Sequence, residues 1–133
     1  MKQSCKNSKL AVIAAVTLAV LCQTASYHSL AQQKEKPYDP KLYRLSELLG
    51  AVHYLRELCT AKDNQKWRDN MKELIEAEGT SAARKATLTR QFNRGYRGYS
   101  RTYRSCTDSA RDTIDRFMKE SISISNELIK LSQ

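Results

Sequence analysis

The chain has few of the residues that most active sites are built from. It holds two histidines, one tryptophan, four glycines and two prolines. With so few turn-formers, a sandwich or barrel of many short strands is excluded. No glycine-rich phosphate loop is present, and no cysteine or histidine cluster has the spacing of a metal site. We therefore expect no cofactor and no metal. There is one long apolar run, Leu10 to Cys22, and its 13 residues fall short of the about 20 that a membrane-spanning helix requires. Beyond it no segment is apolar enough to span a bilayer.

What precedes and follows that run gives it a meaning. Met1 to Lys9 carry Lys2, Lys6 and Lys9 and no acid. After the run the chain turns polar and reaches Ser29-Leu30-Ala31, with small residues where a signal peptidase reads them. Residues 1–31 are expected to be a cleavable signal peptide, with Ser26 as the second cleavage site and an uncleaved anchor as the alternative. Leu21, before Cys22, stands where a lipoprotein signal has a small residue. The expected location is the periplasm. Residues 32–38 read as a flexible polar tail and 39–133 as one helical domain.

The formal charge is +9, and subtracting the three leader lysines leaves +6 for the mature chain. That surplus favours anionic partners. Export separates the protein from nucleic acid, so the expected partner is an anionic envelope component or an acidic envelope protein. Peripheral membrane contact is a further option.

Four helices are expected. The first is expected to be N-capped by Asp39, with Pro40 in its first turn, and to run to about Thr60, with Leu42, Leu45, Leu49, Val52 and Cys59 at helical spacing. The second spans about 64–78 and stops at Gly79. The third spans about 81–105, with Leu88, Phe92, Tyr96, Tyr99 and Tyr103 on one face. The fourth is capped by Thr107 and runs to about Leu131. Short loops make neighbours antiparallel, so the fold class is all-α, a small up-down four-helix bundle. That topology brings the ends of helices one and three to the same pole. Cys59 and Cys106 lie at those ends, and in an oxidising compartment they are expected to pair as a disulfide. A metal site using both thiols and His53 is disfavoured, because His53 lies about 120° of arc from Cys59 on a helix.

The clearest functional pattern is on helix three. Arg90, Arg94, Arg97, Arg101 and Arg104 are spaced 4, 3, 4, 3, and at 100° per residue they fall within about 40° of one line. No acid interrupts them. A column of guanidinium groups suits two-point recognition of carboxylate or phosphate, and the same column also serves as an ordinary solvated face. Gly95 and Gly98 cost helix propensity. Gly95 points to the core side and suits close helix contact; Gly98 lies on the flank, beside the proposed binding face. Arg56 falls on the apolar stripe of helix one and needs a partner; Glu78, Asp112 and Asp115 are the candidates. Alternatively it lines a polar pocket with His53 and Tyr54. His53 and Glu57, one turn apart, are the weak candidates for catalysis, since a histidine and its orienting carboxylate can act as a base.

Several segments recur together: Tyr38-Asp39-Pro40, Leu49-Gly50, His53-Tyr54-Leu55-Arg56, Leu58-Cys59, Trp67-Arg68 with Met71, Phe92-Asn93-Arg94-Gly95-Tyr96-Arg97-Gly98-Tyr99, Tyr103-Arg104 and Cys106-Thr107. In these the chain resembles a family of small exported alphaproteobacterial proteins of unknown function. The resemblance implies a Gram-negative envelope protein and supplies no catalytic residue. The function expected is non-catalytic binding through the arginine-lined helix, accessory to cell-wall assembly or remodelling. The alternatives are a small envelope hydrolase using His53 and Glu57, and a structural subunit of an envelope complex.

Overall fold

The computed structural model describes residues 35–59, 62 and 65–131; the expected signal peptide and the start of the tail lie outside the described residues. Four helices follow in order: α1 Asp39–Leu58, α2 Lys66–Glu78, α3 Ala82–Thr102 and α4 Asp108–Leu131. No strand occurs among the described residues. None of the described helices is long and apolar enough to cross a membrane.

Helix α1 is the centre of the domain, because its buried residues spread over most of its circumference rather than one stripe. Leu42, Leu45, Leu48, Leu49, Ala51, Val52, His53 and Leu55 are all buried. Each of the other helices is amphipathic and lays one face on it. Phe92 and Leu88 of α3 and Met71 of α2 close one half of the core with Leu42 and Leu49. Ala110, Ile114 and Phe117 of α4 close the other half with Leu48, Ala51, Val52 and Leu55. Ion pairs Arg44–Glu120 and Lys41–Glu127 tie the outer edge of α4 to α1.

Local chemistry sets most of the boundaries. The Ser81 hydroxyl accepts the Arg84 N–H and caps α3, and the Thr107 hydroxyl accepts the Ala110 N–H at the start of α4. Asp39 is not the cap of α1: Tyr38 occupies that position and Asp39 is the first helical residue. Lys36 and Tyr38, from the expected tail, both reach Glu78.

Helices α1 and α3 pack closest, and two glycines allow it. A Cβ on Gly50 would stand 1.9 Å from the Phe92 carbonyl oxygen, and one on Gly95 would stand 1.9 Å from the Glu47 carbonyl oxygen. The two backbones are thus in reciprocal contact. A Cβ on Gly98 would meet nothing within 4 Å. The two neighbouring glycines should therefore respond with opposite signs in thermal unfolding. Gly95→Ala is expected to cost about 1–3 kcal/mol by overpacking. Gly98→Ala is expected to gain up to about 1 kcal/mol of helix propensity.

The disulfide forms. Cys59, just after α1, is bonded to Cys106, just before α4, with the Cα atoms 4.9 Å apart. Both ends of the staple lie at the pole where α1 finishes and α4 starts.

Candidate binding face on the third helix

Arg90, Arg94, Arg97 and Arg101 are all exposed on α3. They lie along about 16 Å of helix, at a rise of about 1.5 Å per residue. The fifth arginine leaves the line. Helix α3 stops at Thr102, and Tyr103 is extended, with φ −111° and ψ 121°. A long-range contact ends the helix there: the Tyr54 hydroxyl donates to the Tyr103 carbonyl at 2.5 Å. The Tyr103 ring stacks parallel to Tyr99, and its hydroxyl reaches Ser109 and Thr113. The expected continuation of the helix to residue 105 is therefore corrected, and Arg104 sits exposed in the turn that follows.

The column is lightly neutralised. The Arg94 Nε lies 3.5 Å from Glu47 while its side chain stays 72% exposed, and exposed pairs of this kind contribute little. Arg90 donates to the Thr87 hydroxyl. The side chains of Arg97, Arg101 and Arg104 meet no carboxylate among the described residues. Behind the arginines the helix is anchored by aromatic packing, with Tyr99 edge-on to Phe117 and Tyr96 edge-on to Tyr54. The exposed large hydrophobics among the described residues all belong to α4, so the arginine face presents charge without an apolar group to insert into a bilayer.

The other candidates are placed differently. His53 is 1% exposed and packs against Phe92 and Tyr96. Among the described residues neither ring nitrogen has a hydrogen-bond partner, and the Glu57 carboxylate is 3.6 Å from Nε2. Burial holds the imidazole below its ordinary range, so it is neutral at pH 7. A side chain sealed this way presents no base to a substrate. Tyr54 is committed to Tyr103. Arg56 is half-buried and lines a hollow of about 310 Å³ with Cys59, Arg111, Ile114 and Asp115. Asp115, one of the expected partners, lines the same hollow. Glu78 is at the far end of α1 and does not serve it. His53, Tyr54 and Arg56 do not share one pocket. Among the described residues no three of His, Cys, Asp and Glu are grouped to hold a metal ion.

One buried ion pair has no counterpart in the expectations from sequence. Arg84 is 4% exposed and Asp39 is fully buried. The guanidinium donates to both carboxylate oxygens, at 2.8 and 2.6 Å, and also to the Glu78 carbonyl at 2.7 Å. The Lys36 N–H adds a further bond to Asp39. A signal existed: Arg84 is a cation in the first turn of α3, where the helix dipole disfavours positive charge.

The family model described as "Protein of unknown function (DUF2385)" matches residues 37–131. The chain belongs to this family. The match begins two residues before α1 and ends on the last residue of α4, so the DUF2385 unit takes in all four helices, the disulfide and the arginine column. No curated protein and no solved structure matches the chain. The DUF2385 description names no activity or ligand, and the functional reading rests on the geometry.

Proposed function

We propose that this protein is a non-catalytic component of the bacterial envelope. It docks an anionic partner, a wall polymer or an acidic protein, on the outer face of α3, and its role is accessory to cell-wall assembly or remodelling. The observation that carries this reading is the exposed run Arg90, Arg94, Arg97 and Arg101, on which a single carboxylate bears among the described residues. Guanidinium groups repeated every three or four residues offer a series of bidentate sites for carboxylate or phosphate oxygens. The apolar run and cleavage pattern of residues 1–31 support this reading, since export would deliver the mature chain to such anions. The sealing of His53 counts against the hydrolase alternative.

Charge reversal tests the proposal. Arg90→Glu, Arg97→Glu and Arg101→Glu together touch no buried contact, so the helical circular dichroism and the melting temperature should be unchanged. Retention of the envelope partner by the immobilised protein should fall more than about 100-fold, since each charge-assisted bond lost is worth about 1.5–3 kcal/mol. Retention at the wild-type level would reduce the column to a solubilising surface.

A further inference from the structure

Of the polar side chains buried in the domain, Asp39, Ser46, Arg84 and Thr113 all hold hydrogen bonds. His53 holds none among the described residues. Around α1 it falls between Leu49, which shares a core cluster with Met71 of α2, and Gly50, which packs on the Phe92 carbonyl of α3. The face that α4 covers, Leu48, Ala51, Val52 and Leu55, lies roughly 150° away at 100° per residue. The ring therefore sits beneath the seam of α2 and α3. A hollow of about 490 Å³ runs along the outside of that seam, with Arg68 and Met71 on one wall and Phe92 and Asn93 on the other. Two charged groups act on the ring. Glu57, one turn on in α1, favours a proton there, and Arg68 of α2 opposes it. The α3 neighbours, Phe92 and Tyr96, bring aromatic rings and no formal charge. Helix α4, on the other face, adds none among the described residues.

A proton on this ring is a charge sealed in an apolar core, and withdrawing α2 relieves it in three ways. Water reaches the ring, Arg68 moves off, and Glu57 stays, because it shares a helix with His53. Helix α2 is also the least firmly held. Met71 is its one buried residue, whereas α3 and α4 bury four each. Among the described residues its ionic ties to the rest of the domain are at its far end, where Lys36 and Arg84 reach Glu78. At the near end Gln65 makes no side-chain cap. We propose that α2 is an acid-released flap: protonation of His53 frees its first half from α1 and α3, leaves it held at Glu78, and uncovers Leu49 and Phe92. Away from the core a helix of 13 residues is marginal in water, so release also melts it. The sign follows from linkage. Burial keeps the closed form from binding the proton, so the closed form is fully favoured above the ordinary histidine value and loses ground as the pH falls below it. Asp39 and Glu120, both held low, titrate beneath this window.

Hydrogen exchange on the full chain, read helix by helix as protection factors, tests the flap. One proton taken up on opening should lower the protection of residues 70–75 by up to about 10-fold for each pH unit between about 6.5 and 5, while α3 and α4 keep theirs. His53→Leu, which offers no site for the proton, should flatten that slope. In the wild-type chain the His53 ring should titrate by NMR over the same range in which α2 loses protection, a comparison that needs no substitution. A ring that gains its proton while α2 stays protected overturns the proposal. So does a slope that persists in His53→Leu, and so does a loss of protection shared equally by α2 and α3, which would mark unfolding of the whole domain.

Discussion

Replacing Arg84 by methionine should lower the stability of the domain by about 3–5 kcal/mol, the cost of orphaning one member of a buried ion pair. For a domain of this size that is a fall in melting temperature on the order of 15–30 °C. The substitution leaves the Asp39 carboxylate fully buried, with the Lys36 N–H as its remaining strong donor. It also strips the Glu78 carbonyl of its partner at the end of α2. The pair joins the start of α1 to the start of α3, so its loss loosens the pole opposite the disulfide. The double variant Asp39→Leu, Arg84→Met should recover the part of the deficit due to the orphaned Asp39 carboxylate, while the Glu78 carbonyl and carboxylate stay without Arg84. If the single and double variants were equally unstable, packing rather than charge would be the cause. The same pair sets a pH dependence. Hydrogen bonding to Arg84 holds the Asp39 carboxyl below its ordinary range. Its stabilisation is therefore complete above the ordinary aspartate value and is lost as the pH falls through the depressed one. In acid titrations followed by thermal unfolding, the double variant should lose this part of the slope. It should keep the part due to Glu120, which Arg44 holds low in the same way.

Removing the disulfide should be comparably costly. Cys59 and Cys106 are 47 residues apart, and closing a loop of that length restricts the unfolded chain by about 4 kcal/mol in the chain-entropy description. Domains of this size have only about 5–15 kcal/mol in total. Cys59→Ser with Cys106→Ser is expected to melt on the order of 15–30 °C lower, measured by circular dichroism with and without reductant. Reductant should reproduce the loss in the wild-type chain and do nothing to the variant. Below its melting point the variant should still bind, because α3 is seated on α1 by Gly50 and Gly95 rather than by the staple. An unchanged melting temperature would mean that tertiary contacts alone hold the pole together.

The features legible in the sequence are those set by local pattern. Apolar spacing marked all four helices, Ser81 and Thr107 marked two starts, and antiparallel order brought Cys59 to Cys106. The core-side placement of Gly95 followed from its helical angle, and so did the outward line of Arg90 to Arg101. What escaped depends on partners far away in the chain. The partner of Arg84, Asp39, is 45 residues distant. Helix α3 ends early because Tyr54, 49 residues before Tyr103, takes its carbonyl. Gly50 could be understood as a contact only once Phe92 was opposite it. The burial of His53 follows from the central position of α1, which the periodicity of α1 alone does not reveal. Helices α2 and α4 stand apart, with no Cα of one within 8 Å of a Cα of the other, a spacing no single helix encodes.

The central claim is that the outer face of α3 meets an anionic partner. A photo-crosslinking residue placed at Arg97 in the full chain, in intact cells, tests this most directly, with the same residue placed at Arg68 on α2 as the control. The account predicts a discrete adduct from position 97 that is absent from position 68 and disappears when Arg90 and Arg101 are changed to glutamate. Equal labelling from both positions, or none from 97 in cells where the protein is folded and exported, would contradict it.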